Sequence, residues 1–145
     1  MDLKVPCGIE ISVAEIDDPP KLRVVAADGT FAGVVELWSG AERISDFANT
    51  LQGFPARPGD RREVELGSFD RNYAGGAARL TFEAAGLSAT PEVIARLEDA
   101  SRERLVTVRL RLEAAAVDDF VTDLRALADA LEREAAAIAV LRGAG

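Results

Sequence analysis

The segment Leu105–Leu141 constrains the fold more than any other part of the chain, because its hydrophobic period changes once and abruptly. Val106, Val108, Leu110 and Leu112 alternate with Thr107, Arg109, Arg111 and Glu113, the period of a half-buried antiparallel strand. From Ala114 the spacing becomes helical. Val117, Leu124, Leu131 and Ile138 recur at heptad spacing, and Phe120, Val121, Leu127, Ala128 and Leu141 widen the stripe. A strand and a helix joined in this way share one need for burial, so the helix is expected to cover the sheet. Unbroken from Ala114 to Leu141 it would reach about 40 Å, against roughly 17–20 Å for an ordinary strand, and one end should overhang. That end, Glu134–Arg142, is rich in alanine, the best helix former, while Ile138, Val140 and Leu141 on it need cover. One expectation is a homodimer through the C-terminal helix. The other is packing against the chain's own N-terminal strand.

The rest of the chain supplies the sheet. Leu3–Ile16 carries Ile9, Ile11 and Val13 at alternate positions and ends in Asp17-Asp-Pro-Pro20, a turn that no strand continues through. Lys21–Ala27 repeats the period, Asp28-Gly29 is a hairpin signal, and Phe31–Trp38 returns. Both faces of that third strand are partly apolar, which predicts a central strand or one covered on both sides. Ser39 with Glu42 reads as a capping box for a short helix over Ser39–Gln52, bearing Ile44, Phe47, Ala48 and Leu51. A proline-rich loop, Phe54–Asp60, leads to a short strand at Arg62–Leu66. A longer loop, Gly67–Gly76, leads to a strand at Ala78–Ala85. Leu87–Arg104 fits either a helix begun at Thr90-Pro91 or a strand. Short connections between neighbouring strands favour the strand.

At 145 residues and 48% hydrophobic composition the chain is expected to be one domain, 1–145, able to bury roughly two thirds of its unfolded surface. Net charge is −8, which repels phosphate backbones and anionic lipid, so neither nucleic acid nor membrane is an expected partner and a basic protein is. Cys7 is the sole cysteine, and no signal peptide or membrane-length apolar run is visible, so a cytoplasmic location is expected. Two lysines, Lys4 and Lys21, leave 15 of the 17 cations as arginine, a bias in keeping with a high-GC bacterial source.

The chain contains no histidine, the commonest general base and metal ligand, and one cysteine cannot build a thiolate metal site. No catalytic, cofactor-binding or metal-ligating residue is therefore assigned, and no cofactor is expected. Asp119 and Asp123 share a helical face, but hard cations want more oxygens than two side chains give, and a solvated face is the commoner outcome. Asp118 and Asp119 read as complements to the positive end of the helix dipole. Cys7 reads as a small apolar filler, Gly75-Gly76 as a tight turn or bulge, and Trp38 as packing. The two loops carry Phe54, Arg57, Phe69, Asp70, Arg71, Asn72 and Tyr73, aromatic anchors beside planar donors, and these form the candidate interaction surface. The competing and commoner account has Phe54 and Phe69 pinning the loops to the core, with the arginines paired to Glu63, Glu65 or Asp70.

Four runs, Phe31–Trp38, Phe47–Pro55, Glu65–Gly76 and Glu113–Val121, together resemble a family of small uncharacterised bacterial proteins, a domain of unknown function for which an immunity-like role is one reading. The resemblance implies an α+β domain with a final helix and no assigned catalytic residue. Around Leu87–Pro91 the chain departs from the polar turn of that family. The architecture expected is thus α+β: an antiparallel sheet of about six or seven strands, a long C-terminal helix across it, and one short helix after the third strand. The function expected is non-enzymatic binding of a basic protein partner, in an adaptor, immunity-like or antitoxin-like role. The alternatives are a small-ligand pocket between helix and sheet, or a structural homodimer.

Overall fold

The computed structural model describes residues 7–85 and 90–144. Within them the chain runs β1 (Cys7–Glu15), β2 (Lys21–Asp28), β3 (Ala32–Trp38), α1 (Ala41–Leu51), β4 (Asp60–Gly67), β5 (Ala77–Ala84), β6 (Glu92–Glu98), β7 (Leu105–Arg111), α2 (Ala114–Glu132) and β8 (Ile138–Arg142). The expected start of the first strand at Leu3, and residues 87–89 of the ambiguous Leu87–Arg104 stretch, lie outside the described residues. Within the remainder Glu92–Glu98 forms the expected strand, β6, and residues 99–104 turn the chain into β7.

The class is α+β, but the strands divide into two antiparallel sheets of four where one sheet of six or seven was expected. Sheet A has the order β3-β2-β1-β8 and sheet B the order β4-β5-β6-β7. The division follows from the two helices. Each stands where a tight hairpin is absent, α1 between β3 and β4 and α2 between β7 and β8, so the chain changes sheet at each helix. Eight strands with one apolar face each bury those faces best when two sheets enclose a common core. Ile9, Ile11, Leu22, Val24 and Leu37 of sheet A and Leu66, Leu80, Phe82, Val93 and Leu110 of sheet B belong to a single buried cluster. Phe47 of α1 joins the sheets to the helices, edge-on to Phe82 at 6.3 Å and to Phe120 of α2 at 5.6 Å.

The end of β3 lies against one end of sheet B. The Gly76 amide donates to the Glu36 carbonyl at 2.9 Å, and a Cβ on Gly33 would strike Val106. β3 is therefore an edge strand rather than a central one. Its outward Val34 is 49% exposed, and Phe31 just before it is 67% exposed. The β2–β3 hairpin forms as expected. The Asp28 carboxylate accepts from the Phe31 and Thr30 amides, which hold its pKa below the ordinary value, and Gly29 takes φ 92°.

The short helix keeps its expected buried set, Ile44, Phe47, Ala48 and Leu51, but not its capping box. Gly40 is the N-cap, no side chain caps it, and the Ser39 hydroxyl is buried without a partner. α2 begins where the period changes and buries Val117, Phe120, Val121, Leu124, Leu127 and Ala128. Its first turn holds no acidic residue, so Asp118 and Asp119 are not the dipole complements expected of them. It also stops well before Leu141. Glu134 takes a left-handed φ of 54°, the Ala135 amide returns to the Ala130 carbonyl at 2.8 Å, and residues 138–142 become β8, paired with β1 as Ile9↔Leu141 and Ile11↔Ala139. The alanine-rich segment is thus not a helical overhang, and the helix surface on which a homodimer was expected to form is a strand. No helix among the described residues is long and apolar enough to cross a membrane.

Candidate functional site

The two loops expected to form one interaction surface sit at opposite ends of β4, about 25 Å apart at roughly 3.3 Å per residue. The first is structural. Phe54 is 2% exposed and meets Phe82 edge-on at 5.8 Å. The Arg62 guanidinium lies 5.6 Å from the Phe54 ring and donates to the Thr50 and Gln52 carbonyls at 3.0 and 2.6 Å, at the C-terminal end of α1. Arg62 also pairs with Asp60 at 2.8 Å, and the Ala56 amide donates to the same carboxylate. These bonds, that of Arg62 foremost, hold the Asp60 pKa below its ordinary value. Arg57 is exposed.

The second loop, residues 68–76, lies against the end of sheet B. The Tyr73 hydroxyl donates to the Trp38 carbonyl and accepts from the Trp38 amide, both at 3.0 Å, so the ring closes the end of β3. The Asp70 carboxylate accepts from the Asn72 amide. From the β6–β7 turn, Arg102 donates to the Asp70 and Tyr73 carbonyls, each at 2.9 Å, and to Glu98 at 3.2 Å. Gly75 and Gly76 are required for close approach rather than for a turn. A Cβ on Gly75 would meet Trp38 and Tyr73 at 2.9 Å, and one on Gly76 the Glu36 carbonyl at 2.7 Å.

Phe69 and Arg71 are the members of the expected set that line a depression, of 330 Å³, on the outer face of sheet B. The Phe69 ring takes the Arg79 guanidinium at 4.8 Å and that of Arg96 at 5.5 Å. Glu98 and Arg102 complete the lining. Arg79, Arg96 and Arg102 were missed as site residues. The signal was pairing register, which sets Arg79 directly opposite Arg96 and is not visible until β5 and β6 are known to be neighbours.

A larger groove, of 680 Å³, runs between α2 and β8. Ala115, Ala116, Ile138 and Val140 give it apolar walls; Glu113, Asp119 and Asp123 bring three carboxylates, and Arg142 one cation. Val140 pairs with Glu10 at a position where its amide points away from β1, and that amide donates to the Asp123 carboxylate at 3.1 Å. Asp123 thereby blunts the free edge of β8. Asp119 and Asp123 do lie on one helix face, as their spacing predicts. The three carboxylates are not placed to hold a metal ion together, and no other group of three or more side chains that could do so is found among the described residues. Cys7 packs against Gly143, where a Cβ would collide with its sulfur.

Comparisons of the chain with protein-family models, with curated proteins and with solved structures returned no match.

Proposed function

We propose that this protein is a non-enzymatic binding module whose groove between α2 and β8 takes a basic segment of a protein partner. The observation that carries this reading is the convergence of Glu113, Asp119 and Asp123 on an open groove with apolar walls, in a chain of net charge −8. Guanidinium or ammonium groups of a partner would meet the carboxylates, while the stems of those long side chains cover Ala115, Ala116, Ile138 and Val140. Arg142 disfavours a partner that is cationic along its whole length and sets a preference for spaced cations. The absence of histidine from the sequence removes the commonest proton-transfer group and agrees with binding rather than turnover. An immunity-like or antitoxin-like role, in which the chain masks the basic surface of another protein, is the concrete form of this reading. A small-ligand pocket between helix and sheet would occupy the same groove, but its open length and triple acidity favour a polypeptide.

A fluorescently labelled peptide of alternating arginine and valine provides the test. Its polarisation should rise saturably with the protein at low ionic strength, and affinity should fall about tenfold or more as salt shortens the screening length from about 30 Å at 0.01 M to about 8 Å at 0.15 M. The double variant Glu113→Lys/Asp119→Lys, altered at two exposed positions, should abolish binding while keeping the wild-type circular dichroism. Unchanged binding by the charge-reversed protein would remove this assignment.

A further inference from the structure

We propose that the depression on the outer face of sheet B, lined by Arg71, Arg79, Arg96 and Arg102 beside Phe69, is a binding site for a small dianionic oxyanion of the phosphate class, free or as a phosphomonoester. This site is separate from the acidic groove and does not depend on its occupant. In a chain of net charge −8, four arginines line one depression with Glu98 the single carboxylate among its walls.

The charges of the four arginines are unequally matched. Arg79 pairs with Glu65 at 3.1 Å and more loosely with Glu63 at 3.7 Å, and Arg102 pairs with Glu98 at 3.2 Å. Arg71 and Arg96 are exposed and make no ion pair among the described residues. Two positive charges are therefore left unmatched, the number that a dianion neutralises.

Donors are also in excess. Four guanidiniums bring roughly 20 N–H groups at five apiece, far more than the neighbouring carboxylates and the Asp70 and Tyr73 carbonyls accept. The Nε of Arg102 is buried without a hydrogen-bond acceptor, and that of Arg79 has only the loose 3.7 Å contact with Glu63.

The register makes the same demand. Arg79 and Arg96 face each other directly across β5 and β6, an arrangement of like charges that opposes strand pairing. The ring of Phe69, 4.8 and 5.5 Å from the two guanidiniums, offsets part of that repulsion and holds both planes in place. An oxyanion would offset the rest, and fixed guanidinium forks suit its oxygens bidentately. The same alternation puts Glu63, Glu83 and Glu92 on this outer face paired with Arg61 and Arg109, so the charge around the depression is largely balanced and the site suits a compact ligand.

Arginine Nε–H signals observed by 15N NMR provide the test, with inorganic phosphate and methyl phosphate titrated in turn against chloride at constant ionic strength. Saturable shifts are expected for Arg71 and Arg96 with phosphate and not with chloride. Arg71→Gln and Arg96→Gln should each weaken phosphate binding at least fivefold, and Arg96→Lys should fall between wild type and Arg96→Gln. Arg23→Gln, on the outer face of sheet A, should bind like wild type. Tighter binding of methyl phosphate than of phosphate would identify an esterified ligand, and equal binding the free ion. Shifts no larger than those in chloride, or affinities unaffected by both Arg71→Gln and Arg96→Gln, would overturn the proposal.

Discussion

Asp60 is 3% exposed and still ionised, because Arg62 and the Ala56 amide hold its oxygens. Arg62 in turn supplies the positive charge that the last turn of α1 lacks. Asp60→Asn should therefore cost roughly 1.5–3 kcal/mol at neutral pH, measured by urea denaturation, since the change weakens charge-assisted bonds in a buried setting. The pH dependence has a defined sign. The folded pKa lies below the ordinary value of 3.8, so the contribution is complete above that value and is lost as pH falls through the folded pKa. Wild type should accordingly lose stability faster than Asp60→Asn as pH drops below about 4, and the two curves should converge. Tyr73→Phe removes the hydroxyl that both donates to and accepts from the Trp38 backbone, at a cost of about 1–3 kcal/mol. Fluorescence of Trp38, the sole tryptophan, should report the release. At this scale the sequence revealed residue types more than roles. Phe54 is core, as base rates for loop aromatics favour, whereas Phe69 is half-buried between two guanidiniums that no local pattern places beside it.

Among the elements, those governed by local periodicity were legible: α1 over its buried face, the β2–β3 hairpin, and the start of α2 at Ala114. The end of α2 was not. Ala135–Ala137 favour a helix by propensity, yet the unpaired edge of β1 needs backbone partners, and Ala139 and Leu141 reach the core only as alternate residues of a strand. A requirement set by residues some 130 positions away overrode a preference set by neighbours. Glu134→Gly separates the two accounts. In a continuous helix glycine would cost about 1 kcal/mol, but at the observed φ of 54° it should stabilise the protein by roughly 0.5 kcal/mol, read as a rise in the denaturation midpoint.

For the molecule as a whole, the class was legible and the division into two sheets was not, since the helices could equally have spanned one sheet. The arginine depression was hidden for the same reason. It draws on a loop, two strands and a turn, and exists only once β5 and β6 are paired and the β6–β7 turn reaches back to residues 70–73. The junction of the sheets offers a test of their coupling. A Cβ on Gly76 would lie 2.7 Å from the Glu36 carbonyl and 3.0 Å from that of Glu98, and backbone on both sides cannot yield as a side chain would. Gly76→Ala should cost about 1–3 kcal/mol, and hydrogen exchange should show protection falling in both sheets together.

The strand pairing also dictates an order of assembly. Sheet B is a run of consecutive antiparallel neighbours, β4 to β7, whereas β1 is flanked by β2 and by β8, the last of the described strands to be made. During vectorial synthesis sheet B can close while β1 still shows a bare flank of unpaired amides and carbonyls. A nascent chain stalled before Ile138 would carry that adhesive margin into the cell, which makes β8 a seal against aggregation as well as a structural strand.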